Sequence, residues 1–177
     1  MPRLLLYTDL SARCGSTFTT LAGQRLLFER RGLYTPLLPD ASVPSHNRLW
    51  AFAGRSEEQL PPDVAALLRM LTRPVEEGRN ILLYGGAVWP VLHRNLLDHL
   101  RQMPQMRRYQ IHMLFTLGRP ACRLEQDIRG MRYRLGAMPS LPAMMALVRR
   151  RYLVADLLEL ARRECGAEHV DVLVDSS

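Results

Sequence analysis

The sequence predicts a three-layer α/β domain over residues 1–177, a parallel sheet flanked by helices. Three observations carry this expectation. Short apolar runs at residues 4–7, 81–84, 109–117 and 169–174 read as buried strands. Stretches with helical apolar periodicity separate them and are long enough for crossover connections. Strands and helices that alternate at this spacing imply parallel pairing with right-handed crossovers.

The elements follow in order. Leu4-Leu5-Leu6-Tyr7 gives way to Thr8-Asp9-Leu10-Ser11-Ala12-Arg13-Cys14-Gly15-Ser16-Thr17. A helix is then expected over 16–31, with Phe18, Leu21, Ala22 and Leu26 facing inward and Gly32 ending it. Residues 33–47 carry Pro36, Pro39 and Pro44 and read as a surface loop, either a carrier of substrate contacts or a plain connection. A short helix is expected at 48–54 and another at 62–72, with Pro61 and Pro62 at its start and Pro74 near its end. The strand Ile81-Leu82-Leu83-Tyr84 ends at Gly85-Gly86 and leads into a helix over 88–103, with Val88, Leu92, Leu96 and Leu100 on one face. The third strand, 109–117, is followed by a helix from Gly118-Arg119 to about Leu135, stopped by Gly136 and Pro139. A further helical region over 142–165, broken near Arg151, precedes the last strand.

Composition limits the chemistry. All 24 basic residues are arginine. A Walker A loop needs lysine to reach the outer phosphates of a nucleoside triphosphate, so a standard P-loop kinase or ATPase is excluded. Schiff-base chemistry on lysine is excluded on the same ground. The formal net charge of +7 points to anionic partners: a nucleotide, an acidic or sulfated glycan, nucleic acid or a membrane surface. Short arginine clusters at 30–31, 107–108, 149–151 and 162–163 read as solvated helix faces. Cys14, Cys122 and Cys165 have no metal-ligand spacing and are expected as reduced thiols. The start of the chain does not read as a signal peptide, and no run reaches membrane-spanning length, so the expected location is cytoplasmic. His46, His99, His112 and His169 show no metal-ligand pattern. His112 falls within the third strand, and the other three read as surface residues. Trp50 and Trp89 read as core or pocket-wall residues.

The strand-to-helix junction at residues 8–17 is the candidate site. A buried strand, a small-residue loop with one arginine and one glycine, and a helix opened by hydroxyls make a phosphate cradle. The first-turn N–H groups have no partners within the helix, and the helix dipole favours an anion there. The same residues also fit an ordinary connection with Ser16 as N-cap. In a parallel sheet the loops after Tyr7, Tyr84 and Leu117 all lie on the carboxyl edge, where such folds bind ligands.

Arg13-Cys14-Gly15-Ser16-Thr17-Phe18 resembles the 5′-phosphosulfate loop of sulfotransferases, closest to its carbohydrate-sulfotransferase version. Phe115-Thr116-Leu117-Gly118-Arg119-Pro120 resembles the strand end that carries the family's 3′-phosphate arginine. The helix that follows, with its Tyr133-x-x-Gly136 ending, is also similar. The resemblance implies a sulfotransferase-like, P-loop-NTPase-like fold with 3′-phosphoadenosine 5′-phosphosulfate (PAPS) as co-substrate and no metal. It implies transfer of a sulfuryl group to a hydroxyl of a carbohydrate or small metabolite. Arg13 would neutralise charge on the bridging oxygen. Within the cofactor-binding loop Cys14 to Phe18, the backbone amides at Gly15 to Thr17 with the Ser16 and Thr17 hydroxyls would bind the 5′-phosphate, and Arg119 would hold the 3′-phosphate.

Three departures stand beside the resemblance. Asp127 occupies the place of the family's 3′-phosphate serine, with Arg123 on the same helix face as compensation. Tyr84-Gly85-Gly86-Ala87 lacks the usual Glu or His base, which leaves Asp9 as the substitute and His93 as a more distant one. The sequence also ends at Ser177, where the family continues over the adenine, so the expectation is a truncated or degenerate member. The alternative is a non-catalytic sulfotransferase-like module binding a nucleotide or a partner protein. Nucleic acid is disfavoured, for want of interleaved aromatics.

Overall fold

A computed structural model describes residues 1–9, 14–38, 45–52, 57–86, 97–118, 125, 128–129, 132, 136, 140–152, 158–159, 161–163 and 169–174. Its centre is β1 (Arg3–Asp9), flanked by β3 (Asn80–Gly86) and β4 (Gln110–Leu117). The outer places belong to β2 (Leu33–Tyr34) and β5 (His169–Val174), giving the order β2-β3-β1-β4-β5 with every pairing parallel. The central strands read as unbroken apolar runs because helices cover both of their faces.

Side chains alternate across the sheet, so its register divides the core in two. Leu4, Leu6, Ile81, Leu83, Ile111, Met113 and Phe115 pack on one face. They meet Leu49 of α3 (Asn47–Phe52), Val64, Leu67, Leu71 and Val75 of α4 (Pro62–Glu76), and Leu97 and Leu100 of the helical residues 97–100. On the other face Leu5, Tyr7, Leu82 and Tyr84 meet Phe18 and Leu21 of α1 (Cys14–Gly23) and Phe28 of α2 (Arg25–Arg30). Connectivity explains the division. The chain leaves β1 toward β2 on one side of the sheet, and β3 leads back past β1 to β4 on the other. Right-handed crossovers therefore put α1 and α2 on one face and α3, α4 and residues 97–100 on the other.

The elements depart from the sequence reading at several places. The segment expected as a loop over 33–47 contains β2, where Leu33 and Tyr34 pair with Asn80 and Ile81. Two residues are too few for an alternation pattern to register. The first helix begins at Cys14 and breaks at Gly23-Gln24. The break turns Phe28 inward in place of Leu26, which is 69% exposed. α4 continues past Thr72 to Glu76 with Pro74 inside its last turns. It ends in a Schellman motif: Gly78 N–H donates to the Val75 carbonyl (3.1 Å) and Arg79 N–H to the Pro74 carbonyl (2.9 Å), with Gly78 at φ 66°.

Of the helix expected over 88–103, residues 87–96 lie outside the described residues, and the chain passes through a 3-10 turn, Pro104–Arg108, into β4. Of the helix expected to end near Leu135, Glu125, Ile128, Arg129 and Arg132 are helical. Gly136 follows at φ 66°, its N–H bonded to the Arg132 carbonyl (2.9 Å), as expected of a helix stop. α5 (Leu141–Tyr152) precedes further helical residues at 158–159 and 161–163 and then β5.

Candidate functional site

Parallel pairing throughout gathers the carboxyl ends of the strands on one edge. The connections of β1 and of its neighbours β3 and β4 leave in opposite directions, so β1 marks the switch point where such sheets open a crevice. Thr8 and Asp9 end β1 there, both fully buried. In register, Thr8 lies beside Gly85 and Phe115, and Asp9 beside Gly86 and Thr116. Asp9 belongs to the same face as Tyr7 and Tyr84, the face that α1 covers. Tyr7 and Thr116 join their hydroxyls across that face at 2.9 Å.

The backbone of Cys14, Gly15, Ser16 and Thr17 forms the first turn of α1. The helix therefore starts within a few residues of the buried end of β1. Thr17 is half-buried. Phe18 is buried in the core, its ring stacked on Tyr84 with centroids 5.5 Å apart. It is a wedge that seats α1 on β3 and so sets where the helix start lies. The side chains of Cys14 and Ser16, and the whole of Arg13, Arg119, Arg123, Asp127 and His93, lie outside the described residues. The Trp50 side chain and Trp89 lie outside them as well.

His46 overturns a sequence expectation. It is fully buried rather than on the surface. β2 stops at Tyr34, which leaves the outer edge of β3 open beyond Ile81, and His46 completes that edge. Its N–H donates to the Tyr84 carbonyl (2.8 Å), while the Tyr84 N–H donates to His46 Nδ1 (3.0 Å). Since Nδ1 accepts, the proton sits on Nε2, which donates to the Pro36 carbonyl (2.5 Å). The ring thus acts as a missing strand, and it packs edge-on against the Tyr84 ring at 4.7 Å. Burial pushes its pKa down to about 4, opposed by the Pro36 carbonyl at Nε2 and the Tyr84 carbonyl 3.2 Å from Nδ1. A lone histidine in a proline-rich segment gives no sign of this role, which exists only because β2 is so short.

Tyr84 itself is enclosed, and burial raises its phenol to about 12 against a small opposing field from Arg25. Its hydroxyl has no hydrogen-bond partner among the described residues. His112, in β4 as expected, stacks on its register neighbour His169 with centroids 4.4 Å apart, and His169 is exposed as expected. His99 is half-buried. Among the described residues no three His, Cys, Asp or Glu side chains gather as metal ligands, and no helix is long and apolar enough to cross a membrane.

No family model matches the chain, and no curated protein matches it. Among solved structures, a chain from the PezAT chromosomal toxin–antitoxin system of Streptococcus pneumoniae matches with a TM-score of 0.47 and 15% identity. That match covers 98% of this chain and 68% of the other.

Proposed function

We propose that this chain is a nucleotide-binding module whose anion site is the junction of β1 and α1. The observation that carries the reading is placement. A ten-residue helix opens with Cys14-Gly15-Ser16-Thr17 directly after the central strand of a parallel sheet, at its switch point. First-turn amides there are ready donors to a phosphate. The sulfotransferase-like sequence at Arg13–Phe18 refines the ligand to an adenosine bisphosphate or its sulfonated form, PAPS. Arg13 would supply the guanidinium and Arg119 a second phosphate contact.

A second reading, sulfuryl transfer, is favoured by one observation. Asp9 is buried at the end of β1 and lies in register beside Gly86, one strand away from where sulfotransferases place their base. In that reading Asp9 accepts the proton of the acceptor hydroxyl, and Arg13 and the amides stabilise the departing 5′-phosphate by position and charge.

Thermal unfolding with 3′-phosphoadenosine 5′-phosphate tests the first reading. Ligand at about 100 times Kd should add about 2.7 kcal/mol, a rise of roughly 5–10 °C for a chain of this size. Arg13→Ala should abolish the rise, and no rise in the wild type overturns the reading. Turnover of PAPS that disappears in Asp9→Asn establishes the second reading; binding without turnover across a panel of hydroxyl acceptors rejects it.

A further inference from the structure

The amino edge of the sheet, opposite the cradle, gathers arginines that the sequence scatters. Every strand runs the same way, so the segment entering each strand reaches this edge. Arg3 opens β1, Arg30 and Arg31 precede β2, Arg79 precedes β3, and Arg107 and Arg108 precede β4. Two hydrogen bonds bind these starts side by side. Arg3 N–H donates to Asn80 Oδ1 (2.9 Å), and Gln110 N–H donates to the Pro2 carbonyl (3.0 Å).

Arg3, Arg30, Arg31, Arg107 and Arg108 are exposed and make no ion pair with a described residue. Among the described residues the acids nearby are mostly neutralised. Glu29 is held by Arg25 at 3.0 Å, Glu77 by Arg73 at 2.6 Å, and Asp98 by Arg101 at 3.5 Å. Glu76 is the acid of this edge with no ion pair among the described residues. Beside this charge stands an apolar pair on α2: Leu26 is 69% and Leu27 50% exposed, within one helical turn of Arg30 and Arg31.

We propose that this edge docks on an anionic membrane surface, its arginines on lipid phosphates and carboxylates, with Leu26 and Leu27 entering the headgroup boundary. Charge complementarity supplies long-range attraction, and exposed leucines beside arginines are the pattern of an interfacial contact. A nucleic acid fits less well. The two tyrosines of this edge are withdrawn from stacking, since Tyr109 is buried and Tyr34 is half-buried with the Arg79 guanidinium 5.2 Å over its ring. A phosphate backbone would also leave both leucines without a partner.

The test is flotation of the full chain with vesicles of phosphatidylcholine alone and of phosphatidylcholine with phosphatidylserine. Binding is expected on the second only and should weaken as salt rises. Each arginine removed should lower partitioning by roughly five-fold, so Arg30→Gln/Arg31→Gln and Arg107→Gln/Arg108→Gln should each lower it by roughly 25-fold. Leu26→Ser/Leu27→Ser, with the charge unchanged, should lower it by roughly ten-fold. Arg13→Ala should bind vesicles like the wild type, which separates this proposal from the nucleotide site. Failure to bind the phosphatidylserine vesicles, or binding indifferent to both arginine pairs, overturns the proposal. So does binding of a DNA duplex through the same arginines with the leucine pair irrelevant.

Discussion

The two faces of this sheet are built differently. Under α3 and α4 the interior is aliphatic with a few rings: Leu4, Leu6, Leu83 and Phe115 against Leu49, Leu67, Leu71 and Val75. Under α1 the buried set is small, with Phe18, Leu82 and Tyr84 at its centre and Asp9 at its rim. Apolar burial scales with the area removed from water, so among the described residues the α4 face supplies most of the stabilisation. The α1 face tolerates a carboxylate and a phenol, and it lies beneath the proposed cradle. On the proposed function, stability and ligand chemistry fall on opposite sides of one strand, β1.

The largest effect expected tests the first half of that assignment. Leu83 is fully buried on the α4 face. Leu83→Ala should cost about 3–5 kcal/mol in denaturant unfolding, from lost transfer energy and the cavity left behind. Affinity for 3′-phosphoadenosine 5′-phosphate in the folded fraction should not change. A cost below about 1 kcal/mol would show that this face can collapse onto the gap and is not the rigid half.

His46 gives the next effect, which depends on pH. Its folded pKa is about 4, below the ordinary 6.5, because burial disfavours the cation. A group with a depressed histidine pKa contributes stability that is complete above the unfolded value. As pH falls from 6.5 toward 4, the unfolded chain takes up a proton that the folded chain refuses, and stability drops. The loss should reach about 2 kcal/mol at pH 5 and about 3 kcal/mol in full. His46→Gln should be weaker at pH 7.5 but lose this slope between pH 6.5 and 5. An unchanged slope would place its origin in another group.

How much of this was legible follows from what each feature depends on. The strands at residues 4–7 and 81–84 announce themselves because burial on both faces forces an unbroken apolar run. The stop at Gly136 is legible because only a left-handed residue ends a helix that way. β2 and His46 are not legible, since a two-residue strand has no period and the histidine's role is created by where that strand stops. The exposure of Leu26 was hidden by the break at Gly23-Gln24, which shifts the inward position to Phe28. For the site, the local pattern at residues 13–18 could be read, and the structure adds the neighbours that only pairing reveals: Gly86 and Thr116 beside Asp9.

A smaller effect comes from the corner between α4 and β3. Gly78 sits at φ 66° with open space where a Cβ would stand. Gly78→Ala should therefore cost only the backbone term, about 1 kcal/mol. The change is remote from the α1 face and should leave nucleotide affinity intact. A loss of affinity would mean that the two faces are coupled through β3 and that the separation fails.

The smallest effect is the sharpest test of the α1 face. The Tyr84 hydroxyl is enclosed without a hydrogen-bond partner among the described residues, and burial holds its pKa near 12. A buried hydroxyl that makes no bond costs free energy that a phenyl ring of the same shape does not. Tyr84→Phe keeps the stack on Phe18 and the edge contact with His46, both of which are made by the ring. It should raise stability by up to about 1 kcal/mol, a gain of roughly 2–4 °C in Tm. The gain follows if the hydroxyl is only a defect in a thinly packed interior. If Tyr84→Phe is instead destabilised, or loses affinity for 3′-phosphoadenosine 5′-phosphate, then the hydroxyl has a working partner, and the face under α1 extends the site rather than merely supporting it.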